Sequence, residues 1–99
     1  MVFARSLRDR VRSGKITSSV RIWLRPRVKV GGRYPLFPGW ILVESIEEIG
    51  MGDITEILAI ESGFDSVADL LSTAKHGQGE RVFLVKFRFT SSGSQETAT

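Results

Sequence analysis

Hydroxyl, cationic and aromatic side chains alternate through one short stretch of the chain: Thr17, Ser19, Arg21, Trp23 and Arg25. In an extended segment, residues two apart point to the same face, so these five side chains would stand together. A face of that composition suits single-stranded RNA. Bases stack on indole rings, and a guanidinium holds phosphate oxygens or a base edge through paired hydrogen bonds. Stacking of this kind contributes about 1–3 kcal/mol per base. Lys15, just upstream, would add a cation, and Ser19 would donate a hydrogen bond. The purely structural alternative places Trp23 in the core, with Arg21 stacked on it or paired with a glutamate.

Other chemistries find fewer residues. Ser19 would need an adjacent base to act as a nucleophile, and no histidine lies near it in sequence. The single histidine, His76, falls at the expected end of a helix, where a cation favours the dipole; it could cap the helix or contact substrate. Asp69 stands three residues after Ser66, the spacing of a helix-capping box, which explains an acid there without catalysis. One histidine and scattered acids form no metal constellation, so no metal and no cofactor are expected. The chain has no cysteine, which removes disulfides, thiolate zinc sites and cysteine nucleophiles.

These residues need elements to hold them. Phe3, Leu7 and Val11 recur four apart as one stripe of a short helix, with Arg5, Arg8 and Arg12 on another face and Ser13-Gly14 as its stop. Thr17 to Arg25 reads as a strand with Ser18, Val20, Ile22 and Leu24 toward the core, ended by Pro26, which has no N–H for a ladder. Val28 and Val30 predict a short second strand, Gly31-Gly32 a turn, and Tyr34 to Gly39 an ordered loop. Trp40 to Ile49 predicts a third strand with Glu44, Glu47 and Glu48 in water. Asp53-Ile54-Thr55-Glu56 and Ser66-Val67-Ala68-Asp69 each have the spacing of a capping box. They predict two helices, the first closed by Gly63, the second running to about Lys75 and ended by Gly77 and Gly79. Phe83, Val85, Phe87 and Phe89 form the apolar stripe of a last strand, opposite Leu84, Lys86 and Arg88.

Ninety-nine residues, 41% hydrophobic and 25% charged, fit one globular domain. No apolar run reaches the roughly 18 residues of a membrane span. Met1 to Arg12 lacks the apolar core of a secretory signal. The lack of cysteine is consistent with a reducing, cytoplasmic setting. Charge is unevenly divided. Residues 1–33 hold ten Lys/Arg against Asp9 alone, a net +9; residues 34–80 hold Lys75 against nine acids, a net −8. Such asymmetry suggests a basic face offered to an anionic partner, or two halves that pair with each other. Too few strands for a sandwich and no strand–helix–strand alternation predict an α+β domain, a small mixed β-barrel with flanking helices.

The order of motifs resembles the ASCH family, a branch of the PUA-like superfamily. Ser13-Gly14-Lys15-Ile16-Thr17-Ser18-Ser19-Val20-Arg21 is similar to the family's G-x-K-x-x-[TS]-x-R signature. Val30-Gly31-Gly32-Arg33-Tyr34 sits at the family's glycine-bearing turn. Ile46 to Thr55, then Gly63-Phe64-Asp65-Ser66-Val67, resembles its strand followed by "dIT…eGF.s". The likeness spans about residues 3–89. It implies a small single-domain PUA-like barrel over residues 1–89; the polar, Gly/Ser-rich composition of 90–99 predicts a disordered tail. The likeness also implies RNA or a modified nucleoside as partner. RNA or ligand contacts are expected from Lys15, Thr17, Ser19, Arg21, Trp23, Arg25, Arg33 and His76. A monomer with no obligate protein partner is expected. Some family members hydrolyse N4-acetylated cytidine with a Lys, a Thr and a Glu, and others are reported as ribonucleases. Counted from Arg21, the threonine position holds Ser19, the lysine position holds Ile16 with Lys15 beside it, and the glutamate falls near Asp69. The expectation is therefore binding of RNA or a modified nucleotide in a basic cleft beside Thr17–Arg25. A small hydrolase using Lys15, Ser19 and Asp69 is the alternative.

Overall fold

A computed structural model describes residues 3–74 and 81–91. The elements run α1 (Arg5–Arg12), β1 (Ser18–Trp23), β2 (Arg33–Leu36), β3 (Gly39–Ile49), a 3-10 turn (Met51–Asp53), α2 (Glu56–Glu61), α3 (Val67–Ala74) and β4 (Arg81–Ser91). The strands form one sheet in the order β1-β4-β3-β2, with every pairing antiparallel. The expectation of a mixed sheet is thus corrected: the chain arrives at β4 through two helices but enters it antiparallel to both neighbours. β1 and β2 remain edges, so the sheet is a curled half-barrel within an α+β domain.

β4 is central because it is long and apolar on both faces. On one face Val85 and Phe87 meet Phe3, Leu7 and Val11 of the α1 segment, with Ile16, Val28, Ile41 and Val43. On the other, Val82 meets Val20, Ile22, Ile54, Ala59 and Leu70. Burial of each large side chain contributes about 1.5–3 kcal/mol, so each face has a core of its own. This revises the expectation for β1. Its Ser18-Val20-Ile22 face is buried as anticipated, but the Ser19-Arg21-Trp23 face is also partly covered, with Phe3, just before α1, over Arg21. The strand is shorter than residues 17–25, and Leu24 lies outside it, 60% exposed.

Three local expectations change. Val28 is buried in a loop and Val30 is exposed, so neither forms a strand. Residues 33–36 form β2 where a loop was expected. Pro35 is tolerated because β2 is an edge strand, and it pairs with Trp40 across a tight turn whose Phe37-Pro38 peptide is cis. The cap of α2 is Thr55, whose Oγ1 accepts from Leu58 N at 3.0 Å, and not Asp53, whose Oδ2 accepts from Gly50 N at 2.8 Å. α3 starts as read, with Ser66 Oγ accepting from Asp69 N at 3.0 Å. β4 continues through Thr90 and Ser91, paired with Trp40 and Gly39, beyond the anticipated boundary at Phe89. The rest of the expected tail, 92–99, and the Gly77 and Gly79 stop lie outside the described residues.

The candidate nucleotide-facing site

α1 and the end of β1 bring the central residues together. Successive odd residues of β1 point toward α1, and the register sets Ser19 opposite Val85, Arg21 opposite Phe83 and Trp23 opposite Arg81. Arg21 therefore rises from the floor of the α1-side core. Its guanidinium lies 5.1 Å from the centroid of the Phe3 ring, a cation–π contact at the start of the α1 segment. Its Nε donates to Ser19 Oγ at 2.7 Å. Trp23 is half-buried, 5.8 Å from Phe83 between ring centroids at an interplanar angle of 36°. Both structural details anticipated as an alternative, a packed Trp23 and a stacked Arg21, are present in modified form: the ring under Arg21 is Phe3.

The electrostatics of Arg21 are unusual. Burial pushes its pKa well below the usual arginine value, down to about 10, because the charged form loses hydration. Among the described residues no carboxylate pairs with it, and its two terminal nitrogens have no acceptor. At neutral pH it remains a cation, held by one hydroxyl and one aromatic ring. The acid that stands nearest in register is Glu48, opposite Phe83. That carboxylate is already engaged, accepting from Arg81 Nη2 at 2.9 Å and Nε at 3.1 Å. Arg81 also lies over Phe83, 5.1 Å from its ring centroid. The Arg81 hydrogen bonds hold Glu48 below the usual carboxylate range and raise Arg81.

The remaining candidates sit elsewhere. Lys15 and Thr17 line a depression with Ser18, Glu61 and Lys86, on the α2 side of the sheet. Arg25 is exposed in the loop beyond β1. Arg33 belongs to the opposite sheet edge, where its guanidinium lies 5.6 Å from the Trp40 ring centroid. Asp69 lines another depression with Arg10, Gly63 and Asp65, and its Oδ2 accepts from Asp65 N at 3.0 Å. Lys15 and Asp69 thus line separate depressions, while the Ser19 hydroxyl is occupied by Arg21. Ile16, at the family's lysine position, is buried in the α1-side core. His76 lies outside the described residues. In the arginine row of α1, Arg8 Nε donates to Phe3 O at 3.1 Å and Arg12 Nε to Phe37 O at 2.7 Å, leaving Arg5 exposed without such a tie.

Sequence reasoning missed Phe3 and Phe83 as the aromatic partners of this site, since both were assigned to core stripes. It also missed Lys86 and Glu61 beside Lys15. The signal for Lys86 was its polar parity in β4, but only the register puts it opposite Ser18.

The fold and site together define a small α+β domain with a curled antiparallel sheet and a half-buried arginine, unpaired among the described residues, beside tryptophan and serine. Comparison with known proteins finds no matching family model, no matching curated protein and no matching solved structure. Among the described residues no group of acids could hold a metal ion, and no helix is long and apolar enough to cross a membrane.

Proposed function

We propose that this chain is an RNA- or modified-nucleotide-binding domain of the ASCH, PUA-like type, with Arg21, Ser19 and Trp23 at the heart of its site. The observation that carries this reading is Arg21. Moving a cation out of water costs several kcal/mol after relaxation, and folds normally offset that cost with a carboxylate. Here the offsets within the described residues are a cation–π contact and one hydroxyl, each of order 1–2 kcal/mol. The free nitrogens form a planar fork suited to a phosphate or to the acceptor edge of a base. Trp23 supplies an aromatic wall beside it. Phe83 behind Trp23 fixes the ring and lowers the entropy lost when a base stacks on it. The uneven charge of the chain supports the same reading, since a basic first third attracts a polyanion.

The test is a backbone amide NMR titration with a short single-stranded RNA at low and moderate salt. Shifts centred on residues 19–23 and 81–83, retained at moderate salt and lost in Arg21→Met, are the expected result. Diffuse shifts that vanish with salt, or a pattern unchanged by Arg21→Met, would refute the assignment. Incubation with N4-acetylcytidine, followed by mass spectrometry, separates binding from turnover; product that disappears in Ser19→Ala would move the reading to a hydrolase.

A further inference from the structure

The α2 side of the sheet carries a second polar depression, of about 380 Å³, which the Arg21 site does not use. That size falls within the range of small-molecule sites. Its walls come from three separate parts of the chain: Lys15, Thr17 and Ser18 at the entry to β1, Lys86 from β4, and Glu61 at the last residue of α2. Ser18 and Lys86 are directly opposite each other across the β1–β4 ladder, so their side chains rise together from one face. The ladder is anchored at this point by Phe87 N donating to Thr17 O at 3.0 Å.

Among the described residues, Lys15, Lys86 and Glu61 form no ion pair. Two free ammonium groups and two hydroxyls therefore converge as donors, the set that phosphate oxygens accept. Glu61 narrows the choice. A bare phosphate would leave this carboxylate facing another anion. A phosphate carried on a sugar brings hydroxyl donors with it, and a carboxylate accepts them.

We propose that this depression binds a phosphorylated ribose, with the phosphate between Lys15 and Lys86 and a sugar hydroxyl donating to Glu61. The unit can come from a free nucleotide or from the backbone of an RNA chain. Its residues lie on the opposite face of the sheet from Arg21, so the assignment does not depend on what Arg21 holds.

The experiment is an NMR titration of the full chain with ribose 5-phosphate, inorganic phosphate and ribose. Saturable amide shifts at residues 15–18, 61 and 86 are expected, appearing at lower concentration with ribose 5-phosphate than with inorganic phosphate, and absent with ribose. Lys15→Met and Lys86→Met should each weaken ribose 5-phosphate about two- to fivefold, the scale of an exposed charge pair. Glu61→Gln should bring inorganic phosphate and ribose 5-phosphate closer together. Arg21→Met should leave this binding unchanged even if it abolishes RNA binding at the other face. Equal affinity for the two phosphates in the unaltered chain, no saturable shifts, or indifference to both lysine variants would overturn the proposal. With binding in hand, adenosine monophosphate exceeding a trinucleotide without terminal phosphates assigns the unit to free nucleotide, and the reverse order assigns it to RNA backbone.

Discussion

Replacing Arg21 by methionine should make the ligand-free protein more stable while destroying the proposed binding to RNA. The side chain keeps a similar length and can still lie on the Phe3 ring, but the charge is gone. The fall in its pKa to about 10 corresponds to about 3 kcal/mol of preference for the neutral form. The Phe3 ring and the Ser19 hydroxyl return about 1–2 kcal/mol of that, and partial access to water reduces the penalty again. The variant should therefore gain on the order of 1 kcal/mol, which in a domain of this size raises Tm by about 4–8 °C. Urea and thermal denaturation at pH 7 measure the gain. Its pH dependence is a further check. Below pH about 10 both folded and unfolded arginine are charged, and the full penalty applies. Above about 10, until the unfolded arginine also loses its proton, the unfolded chain holds more protons than the folded one, so the unaltered protein gains stability relative to Arg21→Met and the gap closes. A variant less stable than the parent by 1 kcal/mol or more at pH 7 would show that the fold itself satisfies the charge, and the argument for a ligand would fail.

The other predictions concern the frame around the site. A Cβ at Gly39 would collide with the Thr90 carbonyl and approach the Phe89 ring at 2.9 Å, so Gly39→Ala should lower stability by about 2 kcal/mol or more in denaturant melts. Thr55→Ala removes the acceptor for Leu58 N and should cost about 1 kcal/mol, measured in the same way. Phe87→Ala empties the centre of the α1-side core and should cost about 3–5 kcal/mol, enough to lose cooperative unfolding near room temperature. Glu48→Gln removes an acid held low by Arg81, whose contribution is present above the unfolded carboxylate pKa and lost as pH falls through the lower folded value. Its Tm should fall below the parent at pH 7 and meet it in acid, once the carboxylate is protonated in both states; equal melting at pH 7 would show that the pair contributes nothing.

Much of the frame was legible because period and punctuation agreed. The Phe3-Leu7-Val11 stripe and the Ser13-Gly14 stop defined α1, and the alternating Phe83 to Phe89 stripe defined β4. The positive φ values of Gly14 (82°) and Gly63 (96°) sit where a helix has to turn back. β2 was hidden because Pro35 within it and Pro38 just after it argue for a loop, and an edge strand relaxes that rule. Thr55 displaced Asp53 as a cap because the 3-10 turn claimed the Asp53 carboxylate first, a competition between neighbours that spacing does not reveal. The site was half legible. Alternation placed Ser19, Arg21 and Trp23 on one face, and they share it. Alternation said nothing of Phe3 lying over that face, so a strand surface expected to be wet is half-buried. Lys15 and Arg33 were grouped with Arg21 by charge and Thr17 by alternation, yet Lys15 and Thr17, both outside β1, line the depression on the far side of the sheet, and Arg33 stands on the far edge.

The register slip between Val43 and Ser45 decides which surface each half of β3 presents. Glu44 is the extra residue, and it reaches out to Arg88 at 3.5 Å. Before it, odd-numbered Ile41 and Val43 face α1; after it, even-numbered Ile46 and Glu48 do. The bulge therefore acts as a parity switch within a single strand. Loss of one residue there would carry the whole β2–β3 hairpin through half a turn, exchanging Ile41 and Val43 for Trp40 and Leu42 at the core. Length at residue 44 thus matters more than identity: substitutions should be absorbed at an exposed carboxylate, and a one-residue deletion should not.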